Sequence, residues 1–200
     1  MGQQVRSALC FASVAAISAN IPTELLVASL RAGVIGPPLA LVLARAKPEA
    51  IARAETLIQL SDLLPPEEQR RVLAEALAAA QAIGDGYARA QALSAVAARL
   101  PPEASALQFE LLQQACLLTN VSGSVEILKH LAQYWTMMCS AQRRSELGEL
   151  SATLRAFAGA GRQRLLAVIE ALLPVIARLG GAGALRETVQ AVVDTARWWP

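Results

Sequence analysis

Few residues in this 200-residue chain have types and spacings that could support catalysis. His130 is the only histidine, which removes most acid–base and triad mechanisms at once. Cys139 follows it by nine residues with no second pair of ligands nearby, so the spacing gives no zinc site. The chain contains no GxxxxGK[ST] phosphate loop and no GxGxxG loop after a strand. We therefore expect no catalytic residues, no metal site and no cofactor.

A cluster of aromatic and methionine residues is the more informative candidate. Aromatic residues make up only 4% of the chain, so their grouping carries weight. Large adaptable side chains are enriched at recognition surfaces, and one interpretation is a partner-binding site. The other is that they fill a gap in the core, because such stripes on helices are usually buried. The cluster comprises Tyr134, Trp135, Met137 and Met138, and a basic pair, Arg143 and Arg144, follows it in the sequence.

A repeated segment indicates the elements that position these residues. Eight of sixteen positions match when Ala52–Glu67 is laid over Ala88–Glu103, thirty-six residues further on, and each copy ends in Leu-Pro-Pro-Glu. A period in the thirties with helical patterning is typical of stacked helix pairs, which need neighbours to bury their apolar faces. Arg53 and Arg89 occupy the same repeat position. They could hold repeats together or line a partner-binding groove.

The composition predicts an all-α fold without a sheet. Hydrophobic residues make up 54% of the chain and are mostly Ala, Leu and Val, and no segment alternates with period two. We expect about nine or ten helices in antiparallel pairs, stacked as an α-solenoid of the tetratricopeptide or HEAT type. The chain is expected to be one domain over residues 1–200. Residues 1–47 would form irregular helices, 48–120 two regular repeats, and 121–200 divergent repeats with a C-terminal cap.

Helical periodicity predicts which side chains are buried. Leu25 and Ile51 are placed on the apolar stripes of their helices, and Gly180-Gly181 is expected to separate the last two helices. The last helix should bury Leu185, Val189, Val192 and Ala196. The predicted core comprises Leu57, Leu60, Leu73, Leu77, Leu93, Val96, Leu112, Val168, Ile169, Leu172 and Val192.

Charge and cysteine usage bound the partners and the location. The net charge of +2, from 18 basic and 16 acidic residues, gives no reason to expect a polyanion. Three widely spaced cysteines indicate reduced thiols in a cytoplasmic protein. The alternative is a secretory signal at 1–19, because Arg6 precedes the apolar run Ala8–Ile17. The longest uncharged stretch, Ser7–Thr23, is too short and too polar to span a membrane.

Several blocks resemble the repeats of large bacterial proteins related to the STAND class of signal-transduction NTPases. They are Ala52-Arg-Ala…Leu64-Pro-Pro-Glu67, Leu73-Ala-Glu-Ala-Leu77, Ala88-Arg-Ala…Leu100-Pro-Pro-Glu103 and Leu179-Gly-Gly181…Arg197-Trp-Trp-Pro200. In such proteins a tetratricopeptide-like or HEAT-like superhelix follows a nucleotide-binding switch module and is thought to act as sensor or scaffold. This chain has no NTPase module, so the resemblance implies either a fragment or a superhelix acting alone.

The sequence therefore predicts a non-enzymatic helical-repeat scaffold that binds a protein or peptide, alone or as the sensor region of a larger signalling protein. The alternative is a nucleic-acid-binding solenoid. Solenoids that track phosphates usually show a denser basic stripe, so nucleic acid is the less favoured partner. The sequence does not define the oligomeric state. The alternative would use Arg53, Arg70, Arg71, Arg89, Arg143 and Arg144.

Overall fold

A computed structural model describes residues 4, 13, 16–101, 104–137, 152, 154–159 and 161–198. These ranges contain helices and no strand, so the all-α prediction is confirmed. Residues 16–20 and 154–158 are also helical. The eight helices with defined bounds are α1 (Thr23–Arg31), α2 (Pro37–Arg45), α3 (Ala50–Ser61), α4 (Pro66–Gln81), α5 (Gly86–Ala97), α6 (Ser105–Leu117), α7 (Val121–Met137) and α8 (Arg162–Trp198).

Prolines and capping side chains set the ends of these helices. Pro66 opens α4, where a missing amide hydrogen costs nothing. Asp85 caps α5, because its carboxylate accepts a hydrogen bond from the Ala88 amide at 2.7 Å. Asn120 stands in the same place before α7. That helix lacks the Pro-Pro pair that follows α3 and α5, and it continues to Met137.

The contacts divide the chain into two compact units, residues 1–107 and 108–200. In the first unit, helices that are consecutive from α1 to α5 contact each other, and α3 also contacts both α1 and α5. The connections 46–49, 62–65 and 82–85 are four residues long, so each of these pairs folds back as a helical hairpin. The single domain over 1–200 and the α-solenoid stacking stay predictions.

Two stretches of the first unit are nearly identical in their burial. Each residue of 47–64 is buried, half-buried or exposed in the same way as the residue thirty-six positions later in 83–100. The one exception is the pair Ile58 and Ser94. Salt bridges also join helices of the first unit: Arg45 Nε lies 2.7 Å from Glu75 Oε2, and Arg99 Nε lies 3.0 Å from Asp62 Oδ1. The burial pattern therefore repeats more completely than the residue types do, since only eight of sixteen residues are identical.

The second unit has its described core between α7 and α8, which contact each other. Ile127, Leu128 and Leu131 are buried on α7. On α8 one stripe is buried, made of Val168, Ala171, Leu172, Val175 and Ile176.

Nine of the eleven predicted core residues are buried, and two predictions are wrong. Ile169 and Val192 are only half-buried. Val189, assigned to the inner stripe of the last helix, is exposed, as are Leu25 and Ile51. Periodicity ranks the faces of a helix, but a face is buried only where another element covers it. Ala196, also assigned to that stripe, lies outside the described side chains.

The predicted break at Gly180-Gly181 is confirmed. Gly181 has φ 67° and ψ −163°, a conformation that is essentially restricted to glycine. A Cβ atom at Gly180 would collide with the Cβ of Ala184, so this glycine is required for a steric reason. The backbone stays helical at Pro174. Within Arg162–Trp198 the backbone therefore departs from helical angles at the second glycine, where the helix is kinked.

Candidate partner-binding surface

Arg53 and Arg89, predicted at equivalent repeat positions, make equivalent contacts. Arg53 Nη1 donates a hydrogen bond to the carbonyl oxygen of Lys47 at 2.9 Å, and Arg89 Nη1 donates to that of Ile83 at 3.3 Å. Both acceptors lie just beyond a helix end, after α2 and α4. A guanidinium there satisfies an orphan carbonyl and complements the negative end of the helix dipole. Each arginine thus joins the end of one helix to the start of the next.

The third repeat meets the same need with a residue from another helix. Asn120, before α7, lies thirty-five residues after Asp85, before α5. With the same spacing, Ser124 corresponds to Arg89, and Leu118 corresponds to the acceptor residue Ile83. Arg164, near the start of α8, supplies the guanidinium instead. Its Nη2 donates to the carbonyl oxygens of Leu118, of Ala115 at 3.1 Å and of Cys116 at 3.3 Å. These carbonyls lie at the C-terminal end of α6.

Arg164 is further held by contacts within the second unit. Its Nη2 donates to Ser124 Oγ at 3.1 Å, and its guanidinium carbon lies 5.0 Å from the centre of the Phe157 ring. Its Nε is buried and has no hydrogen-bond partner in the described part of the chain. Burial raises the pKa of the Cys116 thiol, while the positive charge of Arg164 opposes that shift. Sequence reasoning missed this residue, which follows Arg162 and Gln163 at the start of α8 and belongs to no recognisable motif.

The aromatic cluster is described only in part. Tyr134 and Trp135 are half-buried near the end of α7, and burial raises the pKa of Tyr134. Trp135 stands at the repeat position of Leu100, which is 2% exposed. The Met137 side chain, Met138, Arg143 and Arg144 lie outside the described residues. Both interpretations of the cluster, a partner-binding site and a core filler, stay predictions.

Exposed large side chains lie in the first turns of three helices of the first unit. Ile51 and Tyr87 are repeat-equivalent, lie in the first turns of α3 and α5, and are 41% and 64% exposed. These two helices contact each other, and α1, which contacts α3, exposes Leu25 in its own first turn. The Tyr87 hydroxyl accepts a hydrogen bond from Gln91 Nε2 at 3.1 Å, one turn further along. We call Leu25, Ile51 and Tyr87 the first-turn surface.

Other kinds of site find little support in the described residues. No group of three or more His, Cys, Asp or Glu side chains there could hold a metal ion. Over the same ranges, no helix combines the length and apolar character needed to cross a bilayer. The chain matches no known protein-family model, and no curated protein or solved structure is significantly similar to it.

Proposed function

We propose that the protein is a non-enzymatic helical-repeat scaffold that binds a protein or peptide through the first-turn surface. The observation that carries this proposal is the exposure of large apolar side chains at equivalent positions, Ile51 and Tyr87, of two helices in contact. Equivalent positions on stacked helices present side chains at regular intervals, which suits a peptide that crosses the helices. An α-solenoid arrangement of the helix pairs is part of this proposal.

The first-turn surface is preorganised by what lies beneath it. Leu57 and Leu60 on α3 and Leu93 and Val96 on α5 are fully buried, so the helices that carry the surface have fixed positions. Binding to such a surface orders few protein groups and therefore loses little conformational entropy. Tyr87 adds a large amphipathic ring with few rotamers, as binding hot spots commonly do.

The arginine contacts favour a protein partner over nucleic acid. Arg53 and Arg89 donate to backbone carbonyls, and Arg70 pairs with Glu67, so these guanidinium groups are already engaged within the chain. The widely spaced cysteines support a reducing, cytoplasmic location. The resemblance to STAND-type proteins would make the partner a signal that the scaffold senses.

Selection of binding peptides tests the proposal. A displayed random peptide library is panned against the full chain, and the affinity of selected peptides is measured by calorimetry. We expect Ile51→Ser with Tyr87→Ser to weaken binding at least tenfold without changing the melting temperature. The matched control is Leu39→Ser with Val42→Ser, two exposed apolar residues of α2. Peptide binding that both double variants weaken equally, or that neither weakens, would contradict the proposed surface.

Salt dependence separates the nucleic-acid alternative. Binding of a single-stranded oligonucleotide that falls steeply with added salt would favour the phosphate-binding function, because each neutralised phosphate releases counterions. We expect no such binding. The affinity of a selected apolar peptide should change little over the same salt range.

A further inference from the structure

The part of α8 beyond Gly181 is a helix with unusually little burial. From Gly180 to Asp194 none of the residues is buried. Arg186, Val189, Gln190 and Val193 are exposed and follow the spacing i, i+3, i+4 and i+7, which places them on one stripe. Val189 is 57% exposed and Val193 is 45% exposed. This stripe combines an apolar centre with charge at its margins.

The charges near this stripe are arranged to complement themselves. Arg186 and Asp194 have opposite charges and lie eight residues apart, four on either side of Gln190. The described part of the chain gives neither of them an ion-pair partner, although Asp194 Oδ1 accepts a hydrogen bond from Gln190 Nε2 at 2.9 Å. An identical helix that crosses antiparallel at Gln190 would place Arg186 opposite Asp194 twice. A parallel crossing would place like charges together.

We propose that α8 beyond Gly181 is a self-association surface, on which the same helix of a second copy of the chain packs antiparallel with its twofold axis at Gln190. Such an interface is isologous and closes as a dimer, the commonest symmetry of soluble oligomers. The Val189 side chains of the two copies lie together beside the axis, each Val193 lies opposite Glu187 of the other copy, and two Arg186–Asp194 ion pairs fix the direction and register. A standard interface buries about 800 Å² of surface on each partner, and a single helix from each copy buries less. We therefore expect a weak dimer whose population depends on protein concentration.

Charge exchange tests this proposal on the full chain. Sedimentation equilibrium of the wild-type chain should show a mass that rises from 21.1 kDa toward twice that value as concentration increases. Arg186→Asp or Asp194→Arg, each alone, should weaken dimerisation at least tenfold by placing like charges opposite each other. An equimolar mixture of the two variants should dimerise, because every acidic position then faces a basic one. The double variant should dimerise with itself for the same reason.

Two controls keep the outcome decisive. Arg178→Asp changes an exposed arginine of α8 before the glycine pair and should leave the dimer intact. Circular dichroism should show unchanged helicity in every variant, because both exchanged side chains are exposed. A chain that stays monomeric at all concentrations, or a dimer that both single variants leave intact, would overturn the proposal. So would a mixture of the two variants that fails to associate.

Discussion

The two units secure the end of a helix with the same chemical group but take it from different places. In the first unit Arg53 and Arg89 each reach a carbonyl six residues earlier in the chain. In the second unit Arg164 reaches Leu118, forty-six residues earlier. The need for a guanidinium at this position persists across three repeats, although the third repeat has Ser124 where the others have arginine. A structural repeat can therefore continue where its sequence signature has been lost.

The sequence separation between each arginine and its acceptor affects how much the contact contributes to stability. Closing a six-residue loop costs little entropy, and the two helices that it joins are already neighbours through a short connection. Arg164 instead fastens the beginning of α8 to the end of α6, across a much longer intervening chain. We therefore expect the stability of the second unit to depend on Arg164 far more than that of the first unit depends on Arg53 or Arg89.

The largest expected effect is that of Arg164→Ala. The change leaves the carbonyl groups of Ala115, Cys116 and Leu118 without this donor and removes the contact with Phe157. We expect the free energy of unfolding to fall by about 2–4 kcal/mol, measured by urea denaturation. Arg178→Ala, at an exposed position of the same helix, should stay within about 0.5 kcal/mol of the wild type. Equal effects of the two changes would remove the contrast between the units.

Arg53→Ala and Arg89→Ala should each have a smaller effect. Each loses one charge-assisted hydrogen bond, so we expect about 1 kcal/mol of destabilisation, with Arg53, which makes the shorter bond, at the upper end. Because the two sites have separate acceptors, the double variant should show the sum of the single effects in the same denaturation assay. A cost for either change that equals that of Arg164→Ala would contradict the local character of these contacts.

The N-terminal capping residues Asp85 and Asn120 allow the two units to be compared through smaller changes in stability. Asp85 accepts from the Ala88 amide at 2.7 Å, whereas Asn120 accepts from the Gly123 amide at 3.4 Å. Asp85→Ala should therefore cost about 1 kcal/mol, and Asn120→Ala only about half as much. Thermal unfolding of the two variants measures the difference. A larger effect at Asn120 would show that the third repeat depends on its cap more than the geometry indicates.

The smallest effect concerns the reactivity of the Cys116 thiol. Burial raises its pKa, and the positive charge of Arg164 stabilises the thiolate and so partly offsets that rise. Arg164→Ala should raise the pKa further, and alkylation at a given pH near 8 should become slower. Mass spectrometry of peptides that contain Cys116 separates its labelling from that of the other cysteines. Faster labelling would indicate that the variant has opened this region rather than altered its charge.

Much of the fold could be predicted from local pattern, and the exceptions share one cause. Pro66 and Asp85 act on their own helices, so the starts of α4 and α5 can be inferred from neighbouring residues. Leu57 and Leu93 repeat with the helical period and are buried as expected. Val189 was assigned wrongly because periodicity identifies an apolar stripe without showing that a neighbouring element covers it.

The candidate site was harder to infer than the fold, for a related reason. Arg164 binds acceptors that lie more than forty residues away along the chain, so no local motif could reveal it. The equivalence of Arg53 and Arg89 could be identified from the repeat, but their direction toward backbone carbonyls could not. Trp135 shows the intermediate case: the missing Pro-Pro pair marked the irregularity, but only the structure shows that α7 continues through it.

Backbone amides should exchange with solvent at different rates on the two sides of Gly180-Gly181, the joint within α8. Before the joint, Val168 and Leu172 anchor α8 against α7, and opening the helix there exposes apolar surface. After the joint no residue through Asp194 is buried, so opening exposes little and is favoured by comparison. Deuterium should therefore enter the final turns of α8 first. If the chain pairs with itself, protection of those turns should increase with protein concentration while the rest stays unchanged.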